Sequence, residues 1–479
     1  LSETVEILIN PVSIKILTVD TGLIKDLDDN FKYKDASKLW GKKTKELISK
    51  GIIDEYRHLF SKAKSQLPIG FLDETVTFLK KRGVEIKFED YRKYPEIREN
   101  IDLKSIFPGK EMRYYQVEAL EKIIRDKKLN GIVEGATAFG KTLVFLALTR
   151  LIKERILIIF PGKQLVFQTY KEAETLGIKD IGFVSGTYKK LNERIMLTNY
   201  QSLEILEGNE NIKEFKTIFV DEMHSAKANT LYNFLKKSPA PIRLGFSATP
   251  FKPSKSDALD NALNKANLGE IIYSKKAIDL MKEGFIAEVT IKFLKIDEPQ
   301  TLYFVNHIEA VNKLIVNNDY RNNIIKELCL SNDKRTLIMV HLREHGEILN
   351  KLIPESVMYI HGDTETEIRE DVRDKLNSGE IKRILATEVW GTGVNIPNLE
   401  RIIVACSGKS FYQTIQRIGR GLRKTEQKTH LEVWDFFDVT NKYLEKWTKE
   451  RWKFYKSENF PIVAVKLEEI KGNNKVNNK

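Results

Sequence analysis

The stretch GATAFGKT, Gly135 to Thr142, joins the apolar run GIVE to the helical pattern LVFLALTRLI. A buried strand that passes into a helix through a short glycine-bearing loop is the repeating unit of an α/β sheet, and it excludes most other fold classes for this part of the chain. Gly135 and Gly140 let the loop Gly135, Ala136, Thr137, Ala138, Phe139, Gly140 wrap with its N–H groups turned inward, and the following helix start adds the positive end of its dipole. A phosphate fits such a cradle. Lys141 would reach the β- and γ-phosphates of a nucleotide, and the Thr142 hydroxyl would ligate Mg²⁺. A plain small-residue turn is the other reading, and the choice rests on what lies downstream.

Two blocks of the chain share one style. From about Lys110 to Phe285 the runs NGIVEG, RILIIF, IGFVSG, RIMLTN, TIFVDE and IRLGFSAT alternate with helical patterns, and from about Ala287 to Tyr443 so do RTLIMVH, SVMYIHG, RILATE, RIIVAC and LEVWDF. Near-continuous apolar runs suit parallel sheets covered by helices on both faces. The expected architecture is α/β, with two tandem parallel-sheet domains behind a small α+β N-terminal domain. The domains are placed at 1–105, 106–288 and 289–445, with a C-terminal helix and disordered tail at 446–479. A tandem pair of this kind offers a cleft for a ligand.

In TIFVDEMH, Asp221 and Glu222 follow a buried strand, so their carboxylates belong at the ligand end of the sheet. Asp221 would hold Mg²⁺ through its water shell, and Glu222 would orient and deprotonate an attacking water. With 79 Lys and Arg against 67 Asp and Glu, the formal charge is +12. That excess favours a polyanionic partner, although a lysine-rich surface without one gives the same count. The two cysteines, Cys329 and Cys406, exclude a disulfide framework and fit a reducing cytoplasm. No apolar run reaches bilayer length, no secretory signal is expected, and no Cys/His cluster has metal-ligand spacing.

With DEMH in place, the chain resembles the superfamily 2 helicases, whose motifs occur here in order from about Lys110 to Phe437. The resemblance implies two RecA-like domains and ATP with Mg²⁺ as cofactors. MRYYQ is similar to the adenine-reading Q motif, with Gln116 as reader beside Arg113 and Tyr114. PGKQLVFQ and LTNYQS resemble the strand-gripping motifs Ia and Ib, which implies nucleic-acid contacts at Pro161, Gly162, Gln164, Thr198, Gln201 and Ser202. GFSATP resembles motif III, so that Ser247, Ala248 and Thr249, with His224 of the DExH box, would couple nucleotide state to domain movement. HLREH resembles motif IV. ATEVWGTGVNIP resembles motif V, with Thr387 on nucleic acid and Gly391, Gly393 and Asn395 at the nucleotide. QRIGRGLR resembles motif VI, with Gln416, Arg417, Arg420 and Arg423. An arginine fork neutralises charge developing on the γ-phosphate, so fingers supplied by the second domain would make hydrolysis depend on closure.

DExH rather than DEAD, the Gln that opens motif VI and the trailing Pro250 resemble DNA translocases more than RNA-remodelling enzymes. The opening β-rich stretch followed by LPIGFLDETVTFLKKRGVEIKFED resembles the N-terminal domain of phage UvsW-type helicases. This implies action on branched or forked DNA in phage recombination, repair or replication, in the bacterial cytoplasm, by a monomer that could meet recombination or replication proteins. A double-strand translocase without unwinding and an RNA helicase stay open. Two lysine-rich segments carry aromatics suited to nucleic acid. FKYKDASKLWGKKTKELISK holds Phe31, Tyr33 and Trp40; KYLEKWTKERWKFYKS holds Trp447, Trp452, Phe454 and Tyr455, of which Trp447 is expected to pack on the core.

Overall fold

A computed structural model of the chain describes residues 4–39, 42–136, 138–223, 228–251, 257–296, 306–353, 357–387, 396, 398–406, 428–439, 441–457 and 459–467. The chain divides into two compact units. One is made of Leu1–Gly135 and Phe139–Lys275, and Lys276–Lys479 form the bulk of the other.

The first unit opens with β1 (Thr4–Ile9) and β2 (Ser13–Leu17), an antiparallel pair. A two-stranded ribbon, β3 (Lys32–Lys34) and β4 (Tyr56–His58), follows the helix Thr21–Asn30. β5 (Gln66–Pro68) and β6 (Glu85–Asp90) complete a sheet of order β5-β2-β1-β6. As the residues between 67 and 88 predict, a helix, Leu72–Lys81, stops before Gly83, whose φ of 73° suits a residue without Cβ. Alternate residues Val5, Ile7 and Ile9 and Ile14 and Ile16 point into one core with Leu23, Leu27, Phe31 and Phe71. That core also takes in Tyr232, Ala262, Leu263 and Ala266 from helices of the following sheet domain. Gly70 makes the junction possible, since a Cβ there would overlap the Lys265 carbonyl.

Eight strands follow: β7 (Asn130–Gly135), β8 (Ile156–Phe160), β9 (Ile181–Ser185), β10 (Tyr188–Lys190), β11 (Ile195–Asn199), β12 (Thr217–Asp221), β13 (Ile242–Ser247) and β14 (Ile271–Lys275). Their order is β10-β9-β11-β8-β12-β13-β7-β14. All pairings are parallel except the β9–β10 hairpin. Every residue of β8, β11, β12 and β13 is buried, as the unbroken apolar runs require of strands covered on both faces.

The second unit repeats the design with β15 (Glu288–Ile296), β16 (Thr336–Val340), β17 (Val357–Ile360), β18 (Arg383–Thr387), β19 (Arg401–Val404), β20 (His430–Asp438) and β21 (Ile462–Val465). They lie parallel in the order β17-β18-β16-β19-β20-β15-β21. β21 falls within the segment expected to be helix and tail; it is instead an edge strand on β15. The helix before it, Lys442–Ser457, is anchored by Arg451, whose Nε donates to the Asp435 carboxylate at 2.8 Å, and by the Tyr455 hydroxyl on the same carboxylate at 3.0 Å. Trp447 is buried against Leu314, Ile315 and Leu444, as expected, so it serves the core, while Trp452, half-buried, packs on Phe293. The Phe454 side chain lies outside the described residues. Both fold expectations, two parallel-sheet domains and a small α+β N-terminal part, hold.

Candidate active site

Strand order brings the site together. β13 lies between β7 and β12, and the register sets Ser247 beside Glu134 and Phe246 beside Asp221. The phosphate-type loop, the acidic pair and the Ser-Ala-Thr turn therefore share one edge, at the C-terminal ends of three adjacent strands, where α/β sheets hold ligands.

The loop leaves β7 at Gly135 and enters the helix Lys141–Leu151 through Gly140. Gly140 has a φ of 86°, and a Cβ there would overlap the Gln116 amide. Ala138 also has a positive φ, 72°, a conformation that alanine adopts only when its surroundings impose it. Gln116, buried, supplies part of that constraint. Its Nε2 donates to the Phe139 carbonyl at 2.8 Å, and its Oε1 accepts from the Arg113 N–H at 2.9 Å. The side chain expected to read adenine thus clasps the phosphate loop, and Arg113 is turned to the Tyr115 hydroxyl at 2.8 Å. Ala136 is buried, and Thr142 is half-buried in the first turn of the helix. Thr137 lies outside the described residues.

Lys141 Nζ lies 3.1 Å from Glu222 Oε1 and donates to the Gly135 carbonyl at 3.3 Å. The Ser247 hydroxyl donates to the other Glu222 oxygen at 3.4 Å and accepts the Thr249 N–H at 3.1 Å, which ties the Ser247–Ala248–Thr249 turn to the acidic pair. Glu222 has a φ of 45°, a strained conformation for a glutamate. Asp221 is buried, and its Oδ1 has no hydrogen-bond partner among the described residues. Burial, reinforced by the Glu222 carboxylate and opposed by Lys141, pushes the Asp221 carboxyl up to about 7. A buried, orphaned carboxylate oxygen beside a phosphate loop fits a divalent cation. Asp221 and Thr142 are the residues that would hold it.

One member of the site was not foreseen. The Tyr200 hydroxyl donates to the Asp221 carbonyl at 2.9 Å and reaches the Glu222 carbonyl at 3.4 Å, bracing the strained turn. Burial and the two carboxylates hold its phenol well above the usual range, so it stays a donor. It stands in the LTNYQS stretch, but only the strand order reveals that the end of β11 lies within reach of the end of β12.

The expected nucleic-acid contacts divide. Gln164 and Gln201 are exposed, and Pro161 and Gly162 are partly so at the start of the helix Lys163–Thr175. Thr198 is fully buried in β11, its hydroxyl donating to the Val184 carbonyl at 2.9 Å. Ser202 is buried too, accepting the Gly186 N–H and donating to Asn199, both at 2.9 Å. Neither is a surface contact; both shape the loop that presents Gln201. Thr387 ends β18, buried. In the N-terminal lysine-rich segment, Phe31 is a core residue stacked on Phe71 at 5.1 Å. Lys32, Lys34 and Lys50 are paired with Asp29, Glu55 and Glu46, so the local positive field is weaker than the lysine count implied. Trp40, His224, Gly391, Gly393, Asn395, Gln416, Arg417, Arg420 and Arg423 lie outside the described residues.

Two family profiles match, one in each unit. "Type III restriction enzyme, res subunit" covers residues 109–252, and "Helicase conserved C-terminal domain" covers residues 319–425, together over half of the chain. The chain belongs to superfamily 2 of the helicases. It is an ATP-hydrolysing helicase with a nucleotide-binding site. It is 28% identical over 357 residues to the ATP-dependent DNA helicase uvsW of Enterobacteria phage T4, a match that covers 68% of each. It is 24% identical over 352 residues to putative helicase 22 of Sulfolobus islandicus filamentous virus, a match covering 66% of this chain but only 62%, under two thirds, of that one. A fragment of a putative HsdR subunit of a type I restriction enzyme from Vibrio vulnificus YJ016 shares the fold, with a TM-score of 0.54 at 20% identity over 74% of this helicase and 68% of that chain.

Proposed function

We propose that this helicase is an ATP-driven DNA motor that remodels branched DNA: Holliday junctions, reversed forks, D-loops or R-loops arising in phage recombination, repair or replication. The observation that carries the motor is the Lys141–Glu222–Ser247 chain of contacts beside the orphaned Asp221 oxygen. The preference for DNA is supported by the likeness to a DNA helicase of phage T4, and the preference for branches by the resemblance of the N-terminal segment to the UvsW type.

The geometry supports a definite division of roles. Lys141 is held at the Glu222 carboxylate, 3.1 Å from Oε1, within the loop that would take the phosphates. Lys141 would reach the β- and γ-phosphates of a triphosphate held by Gly135–Thr142, and Glu222 would orient and deprotonate the attacking water. Mg²⁺, when bound, neutralises phosphate charge. The Ser247 hydroxyl holds the Glu222 carboxylate, and Ser247 in turn fixes Thr249, so the state of the base is passed to the turn after β13. Arg420 and Arg423 of the second unit are proposed to complete the charge stabilisation, and Gln164 and Gln201 to hold the sugar–phosphate backbone without reading sequence.

Gel assays of strand release from four-way junctions, forks, R-loops, linear overhangs and RNA duplexes test this reading. Faster ATP-dependent processing of the branched DNAs is the expected result; equal rates on linear DNA, or a preference for RNA, would refute it. The restriction-enzyme family match favours one other reading, a translocase on intact duplex. It predicts triplex displacement without strand separation.

A further inference from the structure

We propose that Tyr188 is a stacking site for an unpaired nucleobase, with Lys163 beside it to neutralise an adjoining phosphate. This rests on the reading of the chain as a nucleic-acid motor and locates a base contact on its first sheet domain.

Tyr188 opens β10, directly after the turn that follows β9, so it lies at the C-terminal end of the sheet, beside the ends of β9 and β11, with five strands between β10 and the β7 strand that leads into the phosphate loop. It is 54% exposed. Its surroundings are built and not incidental. Phe167, in the helix that starts at Lys163, meets the Tyr188 ring edge-on, with centroids 5.7 Å apart, and Phe183 braces Phe167 at 5.2 Å. The Lys163 ammonium lies over one face of the Tyr188 ring, 4.2 Å from its centre, so the base is assigned to the other face. Lys163 is exposed and stands between Gly162 and Gln164, two residues assigned to the strand grip. The turn before Tyr188 is tied to the other gripping loop, because the Gly186 N–H donates to Ser202, the neighbour of Gln201. Tyr188 therefore belongs to one rigid edge with Lys163, Gln164 and Gln201. Gripping residues of that kind hold phosphates; a half-open aromatic ring among them adds what phosphates cannot take, a face for a base. Stacking on it tolerates every sequence, as a motor needs, and only an unpaired base presents a free face.

Fluorescence anisotropy of the full chain with oligothymidylate, and with an abasic oligomer of equal length, tests the assignment. Tyr188→Ala should weaken oligothymidylate binding about 5- to 150-fold, the range of one lost base stack. It should leave binding of the abasic oligomer unchanged, which also reports an intact fold, and Tyr188→Phe should bind both as the wild type does. Equal loss on both oligomers, or no loss on either, would overturn the stacking role while leaving the motor standing. Failure of the wild-type chain to bind either oligomer would overturn both.

Discussion

Asp221 is the residue whose environment is least comfortable and most informative. Its carboxyl is raised to about 7 by burial and by Glu222, well above the ordinary carboxylate value near 3.9. Between those values the folded chain binds a proton that the unfolded chain has lost, so this group's contribution to stability falls as pH rises through that window and stays low above it. Asp221→Asn removes the titration. In the absence of nucleotide and divalent cation, the melting temperature of the variant should exceed that of the wild type at pH 8, with the gap narrowing at pH 5; scanning calorimetry at both values checks it. Not every residue role was legible. Thr198 and Ser202 stand in a motif, but a motif does not say which way a side chain faces, and a strand covered on both faces has no polar alternation to reveal it. Phe31 was not legible as core either: it heads a lysine-rich run that points to nucleic acid, and its place beside Leu23 and Leu27 in the core shows only once the helix Thr21–Asn30 is fixed.

Loops and helices carry the site only if their ends are fixed. Gly140 combines a positive φ with a close approach to Gln116, so Gly140→Ala should displace both the loop and its clasp. The affinity for a non-hydrolysable ATP analogue should fall by at least about tenfold, a loss of ~1.4 kcal/mol, measured by isothermal calorimetry. At the far end of the chain the buried Arg451–Asp435 pair holds the helix Lys442–Ser457 on β20. Asp435→Ala would leave a guanidinium buried and uncompensated, a cost of about 3–5 kcal/mol. Hydrogen exchange should then show faster exchange across 442–457 than in β7 to β13. The central strands were the most legible elements, since each carries a local apolar run; β10, β14, β15 and β21, which are polar, alternating or late in the chain, were not read. The roles of Gln116 and Tyr200 were not legible, because they depend on contacts across the fold: Tyr200 reaches past β8 to the end of β12, and Gln116 reaches from its helix to the phosphate loop.

The whole molecule is two parallel-sheet units that carry different parts of one set of helicase motifs, and a single unit has no complete set. Gly135, Lys141, the acidic pair and Ser247 converge in the first unit because β13 lies between β7 and β12. The arginines expected from QRIGRGLR belong to the second. Both sheet domains were readable from near-continuous apolar runs, and the order of the motifs along the chain assigned the family. The fusion of the N-terminal sheet to the helix Ala258–Leu268 was not readable, since nothing local marks Gly70 as a point of backbone contact. The most direct test of the account is steady-state ATP hydrolysis with and without forked DNA, by the wild type and Glu222→Gln. The account predicts DNA-stimulated turnover in the wild type and a loss of at least about a hundredfold in the variant, the scale of removing a general base, with ATP binding retained. Turnover in Glu222→Gln equal to the wild type, or wild-type turnover indifferent to DNA, would contradict it.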